Sequence, residues 1–247
     1  ANAGLPVLLL DIDADTAAAG LKRAAALKPD PFFTPATQTQ IRLGGFVQDL
    51  AAIANCDWII EAVIERLDAK QTLIQQVDRY RRSDAIVSSN TSGIPIGAIA
   101  EGRSAEFRRH WLGSHFFNPP RYLRLVEIIP TADTDPVVIG ALSSFVDHEL
   151  GKGVVVAKDT PGFIANRIGL YGVARTLEQL QSGRFTIEEI DALTGPVLGR
   201  PRSATFRTMD IAGIDILTHV AADLVRRLDT DHERHVFELT PLVGELV

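Results

Sequence analysis

Cysteine is almost absent. Cys56 is the only one in 247 residues, so no disulfide can form within the chain and no cage of thiolates can hold zinc. That scarcity fits a reducing compartment. Positive charge is not in surplus either: 25 Lys and Arg stand against 31 Asp and Glu, a formal net charge of −6. An acidic chain repels phosphate backbones, so a nucleic-acid partner held by bulk electrostatics is not expected. Long hydrophobic runs are missing too. The longest uncharged stretch, Ala85 to Ala100, carries Ser, Asn, Thr and Pro and cannot span a bilayer. No signal peptide opens the chain. With 46% hydrophobic residues, disorder is disfavoured. The expectation is a soluble, cytoplasmic protein of one large domain or two modest ones.

What is present alternates. Val7-Leu8-Leu9-Leu10 ends at Asp11, Trp58-Ile59-Ile60 at Glu61, and Ala85-Ile86-Val87 at Ser88-Ser89-Asn90. Leu125-Val126 leads into Glu127-Ile128-Ile129, and Val154-Val155-Val156 is a fifth run. Short aliphatic runs of this kind read as strands buried on both faces. Helical periodicity over Asp68–Tyr80 and Pro136–Leu150 lies between them. Strands alternating with helices predict a doubly wound, Rossmann-type, mostly parallel sheet, with its polar groups at the carboxyl edge. Ala1-Asn2-Ala3-Gly4 reads as a helix tail closed by glycine, so the expectation is a truncated chain or a fragment of a longer polypeptide.

The crossover from Asp11 to Trp58 holds 46 residues, far more than the 10–12 or so that suffice. Ala14–Leu27 looks helical, Pro29-Asp30-Pro31 breaks it, and Thr37–Leu43 could form a second helix. The segment is either a surface excursion or an arm covering a ligand. Beyond Lys158-Asp159-Thr160-Pro161-Gly162 the β-branched runs stop. Ile164–Leu180, a capping box at Thr186-Ile187-Glu188-Glu189, and Asp215–Leu228 then signal helices. The expected domains are 1–158 and a helical 159–247.

Several residues carry chemical possibilities. Asp11 is either an ordinary acidic strand end or an acceptor for the adenosine ribose hydroxyls, which would select NAD over NADP. The sequence contains no G-x-G-x-x-G run, and Gly151-Lys152-Gly153 precedes a strand rather than following one. His115, in Gly113-Ser114-His115-Phe116-Phe117-Asn118-Pro119, is either structural or a general base partnered by Glu127. Ser88-Ser89-Asn90-Thr91-Ser92 is either a turn or a ligand-facing polar set. Asn166 is similarly open. His110 and His115, five apart, and His232 and His235, three apart, each lack the rest of a metal shell, so no metal site is expected.

Four segments taken together resemble the 3-hydroxyacyl-CoA dehydrogenase family: Ser89-Asn90-Thr91-Ser92, Gly113-x-His115-Phe116-Phe117-Asn118-Pro119, Leu125-Val126-Glu127 and Asp159-Thr160-Pro161-Gly162-Phe163-Ile164-x-Asn166-Arg167. They stand in the family's order and spacing, and the resemblance covers nearly the whole chain. Asn118-Pro119-Pro120-Arg121-Tyr122 and the stretch from Gly199 to Arg207 are most similar to a subgroup in which the dehydrogenase is part of a longer fatty-acid oxidation protein with an enoyl-CoA hydratase part. The resemblance implies that His115 is the catalytic base and Glu127 its partner. It implies that Ser92 and Asn166 bind the reacting oxygen, and that Asp11, Glu65, Lys70 and Asn118 contact NAD. It also implies an acyl-CoA substrate, a CoA-touching arm after Asp11, a homodimer formed through the helical domain, and a place in β-oxidation. The family's first strand and glycine loop have no counterpart in this sequence. The competing expectation is therefore a non-catalytic binding or structural protein on the same scaffold. A 2-hydroxyacid or 6-phosphogluconate-type dehydrogenase would need a lysine base, and the matching segments hold none.

Overall fold

The structure, a computed structural model, describes residues 1–239 and Val243. It divides into two compact units, Ala1–Asp159 and Thr160–Val247.

In the first unit, β1 (Val7–Asp11) is followed by α1 (Ala14–Ala25) and pairs in parallel with β2 (Ile41–Gly45). Asp13 starts α1 by accepting the Thr16 N–H at 2.7 Å, which satisfies one of the donors a helix N-terminus leaves open. After the short α2 (Phe46–Asp49), a five-stranded sheet runs in sequence order. Its strands are β3 (Trp58–Glu61), β4 (Ile86–Ser89), β5 (Trp111–Phe116), β6 (Leu125–Pro130) and β7 (Gly153–Val156). All neighbours are parallel except β5 and β6. The connections carry α3 (Leu67–Tyr80), α4 (Ile96–Ile99), α5 (Ala105–Arg109) and α6 (Pro136–His148). This is a Rossmann-like, mostly parallel sheet. Leu112, Val126 and Ile128 of the sheet pack with Val138, Leu142 and Val146 of α6. Fully burying each such side chain contributes about 1.5–3 kcal/mol.

Three local expectations are corrected. Thr37–Leu43 is not a helix: a 3-10 turn spans Pro35–Gln40, and the chain then enters β2. Ile41 and Leu43 alternate with exposed Arg42 and lie opposite Val7 and Leu9. A period of two with a ready ladder outcompetes one marginal helical turn. The long crossover is thereby split by a strand. Second, β1 is half-buried along its length rather than buried, because its ladder is with β2 while the larger sheet starts at β3. Third, Ala1–Gly4 forms a turn, closed by Gly4 N–H to the Ala1 carbonyl at 2.8 Å, not a helix tail.

The second unit is helical: α7 (Ala165–Gln181), α8 (Ile187–Thr194), α9 (Phe206–Ala212) and α10 (Ile214–Arg227). Thr186 and Glu189 form both bonds of the capping box, at 3.2 and 2.9 Å. Leu170, Ala221, Leu224, Leu228 and Phe237 make its main core. Among the described residues no helix is long and apolar enough to cross a membrane.

Candidate active site

His115 and Glu127 face each other across the one antiparallel joint of the sheet. Directly opposed residues in such a ladder project from the same face, which lets two polar side chains meet inside an apolar surround. The His115 Nδ1 lies 2.7 Å from Glu127 Oε2, and the residues are 3% and 0% exposed. A carboxylate buried this deeply is tolerated because it is hydrogen-bonded. With the Nδ1 proton donated to Glu127, the imidazole carries its lone pair on Nε2. Phe117 packs against the ring, the centroids 4.4 Å apart. Gly113, two residues earlier, leaves room for Ile96: a Cβ there would stand 2.7 Å from Ile96 Cδ1 and 3.0 Å from Ile129 Cβ.

The polar run that ends β4 and continues past it is mostly consumed by the fold. Ser88 Oγ receives the Trp58 indole N–H at 2.9 Å and lies 2.8 Å from Ser114 Oγ. Ser89 donates to Glu61 at 2.5 Å, and Asn90 Oδ1 accepts the Phe116 N–H at 2.9 Å. Thr91 Oγ1 caps the turn by accepting the Ile94 N–H at 3.0 Å. Ser92 alone of the five is exposed.

Its loop is held by Glu65. One carboxylate oxygen accepts the Thr91 hydroxyl at 2.5 Å and the N–H groups of Ser92 and Gly93 at 3.0 and 3.2 Å. The other lies 3.2 Å from Lys70 Nζ. Burial raises the Glu65 pKa, but the Thr91 hydrogen bond and the Lys70 charge outweigh it, so the carboxyl sits below its usual value. Lys70 is 1% exposed and also donates to Glu61 Oε1 at 2.9 Å and to the Val63 carbonyl at 3.1 Å. Those contacts occupy its three donors, so its link to the loop after β4 runs through Glu65. Glu61 is a hub that sequence reasoning passed over. The signal was an acidic residue ending an apolar run, with Lys70 nine positions on. Asp159, at the expected boundary and first in its matching segment, accepts the N–H groups of Ile96 and Gly97, both at 2.8 Å.

The remaining residues are placed at element ends. Asp11 closes β1, half-buried, with Oδ1 accepting the Ile12 N–H at 2.8 Å. Asn118 is exposed, two residues beyond β5. Asn166 lies in the first turn of α7 in the second unit, half-buried. Glu65, Ser92 and Asn118 follow the carboxyl ends of β3, β4 and β5 in the five-stranded sheet, and Asp11 ends β1 in the two-stranded one; carboxyl ends of parallel strands are where open sheets take dinucleotides. Acceptors for a ribose and polar groups for a nicotinamide fit a dinucleotide's two ends.

Models of the 3-hydroxyacyl-CoA dehydrogenase NAD-binding and C-terminal domains match residues 1–160 and 162–245. A probable 3-hydroxyacyl-CoA dehydrogenase of Deinococcus radiodurans is 50% identical over 91% of this chain and 67% of its own length. A probable 3-hydroxyacyl-CoA dehydrogenase of Bacillus subtilis is 42% identical over 100% of this chain but 34% of its own length. The chain thus spans about two thirds of one relative and one third of the other. Among solved structures, the (S)-3-hydroxybutyryl-CoA dehydrogenase of Ralstonia eutropha superposes with a TM-score of 0.80 at 27% identity, covering 98% of this chain and 85% of that one. With both domain models and close relatives in agreement, the chain belongs to the 3-hydroxyacyl-CoA dehydrogenase family.

Proposed function

We propose that the chain oxidises an (S)-3-hydroxyacyl-CoA to the 3-oxoacyl-CoA with NAD, as a step of β-oxidation. The observation that carries this reading is the buried His115–Glu127 pair. His115 Nε2 takes the proton of the C3 hydroxyl, and Glu127 offsets the charge that builds on the ring. NAD, when bound, supplies the hydride acceptor. Ser92 and Asn166 are each assigned to the reacting oxygen. Asp11 is assigned to the adenosine ribose, and Glu65, held by Lys70, and Asn118 to the cofactor edge. No residue of this chain is assigned to the pyrophosphate.

The full protein is read as longer than this chain, with an enoyl-CoA hydratase part. The matched third of the Bacillus subtilis relative supports a longer polypeptide. It is further read as a cytoplasmic homodimer. Exposed Ile168, Ile211 and Ile216 of the helical unit support a subunit contact there. The test is NAD reduction by the complete polypeptide across 3-hydroxyacyl-CoA chain lengths. Turnover with at least one length is expected, and cofactor binding without turnover on any would favour a non-catalytic role.

A further inference from the structure

The loop that follows the His115 strand is tied to a distant segment by the side chains of Arg121 and Tyr122. Between α1 and β2 the chain runs through Pro29-Asp30-Pro31-Phe32-Phe33. Its prolines have no N–H, and it belongs to no ladder, so its carbonyls must find donors elsewhere. They find them in side chains. Arg121 Nη1 donates to the Asp30 carbonyl and, at 2.7 Å, to the Phe32 carbonyl. The Tyr122 hydroxyl donates to the Asp30 carbonyl at 2.8 Å. The carbonyl between them, Pro31, accepts from Asn2 Nδ2 at 2.8 Å. The Arg121 guanidinium also lies 4.5 Å from the Phe33 ring centroid and 5.1 Å from that of Tyr122. A planar cation that donates through its edge and stacks through its faces does here what a lysine cannot.

The same loop is gripped by a second cation. Lys152, nearly buried, donates to the Pro120 carbonyl and, at 2.9 Å, to the Leu123 carbonyl. Residues 119–123 are therefore held between two cations, one reaching out from the loop and one reaching into it. Asn118 stands at the loop's start, three residues from His115.

We propose that Arg121 is a positioning residue for the cofactor edge: by binding the carbonyls of Asp30 and Phe32 it fixes loop 118–123, and with it Asn118. The proposal rests on the assignment of Asn118 to NAD. Without the Arg121 clasp the loop keeps only the Lys152 and Tyr122 contacts, and cofactor binding must complete the ordering of Asn118 at its own expense.

The test uses the complete polypeptide with Arg121→Met, which keeps the stem and removes donors and charge, and Arg121→Lys, which keeps the charge alone. NADH affinity is read by fluorescence titration, folding by thermal midpoint, and local order by amide hydrogen exchange. In Arg121→Met the NADH Kd should rise about tenfold, the size of a lost charged hydrogen bond. Exchange should quicken in both 30–33 and 118–123 while the midpoint stays within a few degrees. Arg121→Lys should fall between the two. Asn2→Ala, which loosens the distant segment alone, should quicken exchange in 30–33 and leave NADH affinity nearer the parent. An unchanged Kd in Arg121→Met, beside a parent that binds NADH, overturns the proposal. So does a weakened Kd matched by a global loss of folding. A parent that binds no NADH overturns the dehydrogenase reading itself, and the exchange data then report the clasp alone.

Discussion

His115 and Glu127 are paired twice over: by ladder register, as opposed residues of β5 and β6, and by a 2.7 Å contact between Nδ1 and Oε2. The register fixes the contact. Slipping β6 by one residue would turn Glu127 to the other face of the sheet, so the strand pairing that builds the core also builds the base and its orienter.

For that pair, His115→Gln in a folded protein should cut turnover by about 10²–10⁴, the usual contribution of a placed general base. Glu127→Gln keeps size and one hydrogen bond but removes the charge that stabilises imidazolium, so it should also lower turnover by orders of magnitude. The double variant should be little worse than the worse single one, because residues acting as a unit are not additive. Turnover and thermal midpoint measured on the same samples separate catalysis from packing. Near-parental turnover in folded His115→Gln would remove His115 from the mechanism.

Lys70→Met should cost folding stability heavily. The substitution leaves the Glu61 carboxylate, whose side chain is 1% exposed, without its cation. Removing one partner of a buried ion pair costs about 3–5 kcal/mol. Denaturant unfolding of parent and variant measures the difference. A second substitution, Glu61→Gln, should recover part of the loss in the Lys70→Met background, since it removes the stranded charge.

Much of this was legible in the sequence, because the elements that carry the site obey local rules. The run Leu125–Ile129 and the helix over Pro136–Leu150 show their periods directly, and Thr186 with Glu189 spells its own cap. What escaped is set by tertiary pairing. Ile41–Gly45 is too short to declare itself, and only β1 makes it a strand. The polar run Ser88–Ser92 left a turn and a ligand-facing set both open, and four of its members are spent on Trp58, Glu61, Phe116 and the Thr91 turn. Sequence reveals which groups are polar, while three-dimensional neighbours decide which remain available. Arg121 escaped for the same reason, since its partners lie 89 and 91 positions away.

Glu65 supplies a pH-dependent prediction. Its folded pKa is depressed: burial opposes the shift, while Thr91 and Lys70 drive it. A depressed carboxylate contributes stability above its unfolded value, about 4.3 for Glu, and loses it as pH falls through the lower folded value. Its side chain is 47% exposed, so solvent screening keeps the contribution modest. Glu65→Gln should therefore show a shallower fall of thermal midpoint than the parent as pH drops below about 4.3. Parallel acid limbs for the two proteins would contradict the assigned network.

Gly113→Ala should destabilise the sheet two residues from the base. The added methyl meets Ile96 and Ile129 side-chain carbons at 2.7 and 3.0 Å, inside a buried strand where little can move. Overpacking of this kind costs about 1–3 kcal/mol. The midpoint should fall, and turnover should fall further than the folded fraction does, because β5 carries His115. A variant as stable as the parent would mean that Ile96 can turn aside.

The last prediction concerns Asp11 and the choice between NAD and NADP. Asp11 ends β1 with one oxygen bound to the Ile12 N–H, leaving the other to accept from a ribose. A 2′-phosphate placed beside that carboxylate is repelled by roughly 1 kcal/mol in water and about 4 kcal/mol at surface-like dielectric when 4 Å away. The parent should therefore favour NAD over NADP by about fivefold to several hundredfold in kcat/KM. Asp11→Asn keeps the shape and removes the charge, so it should lose NAD affinity modestly and gain on NADP, closing most of that gap. Raising the salt concentration should narrow the parent's preference too, since exposed charges are screened within about 10 Å at 0.1 M. Asp11→Asn should show little such dependence. Steady-state kinetics with both cofactors at two ionic strengths reads all four values. Equal use of NAD and NADP by the parent, at low salt, would show that this carboxylate does not face the ribose.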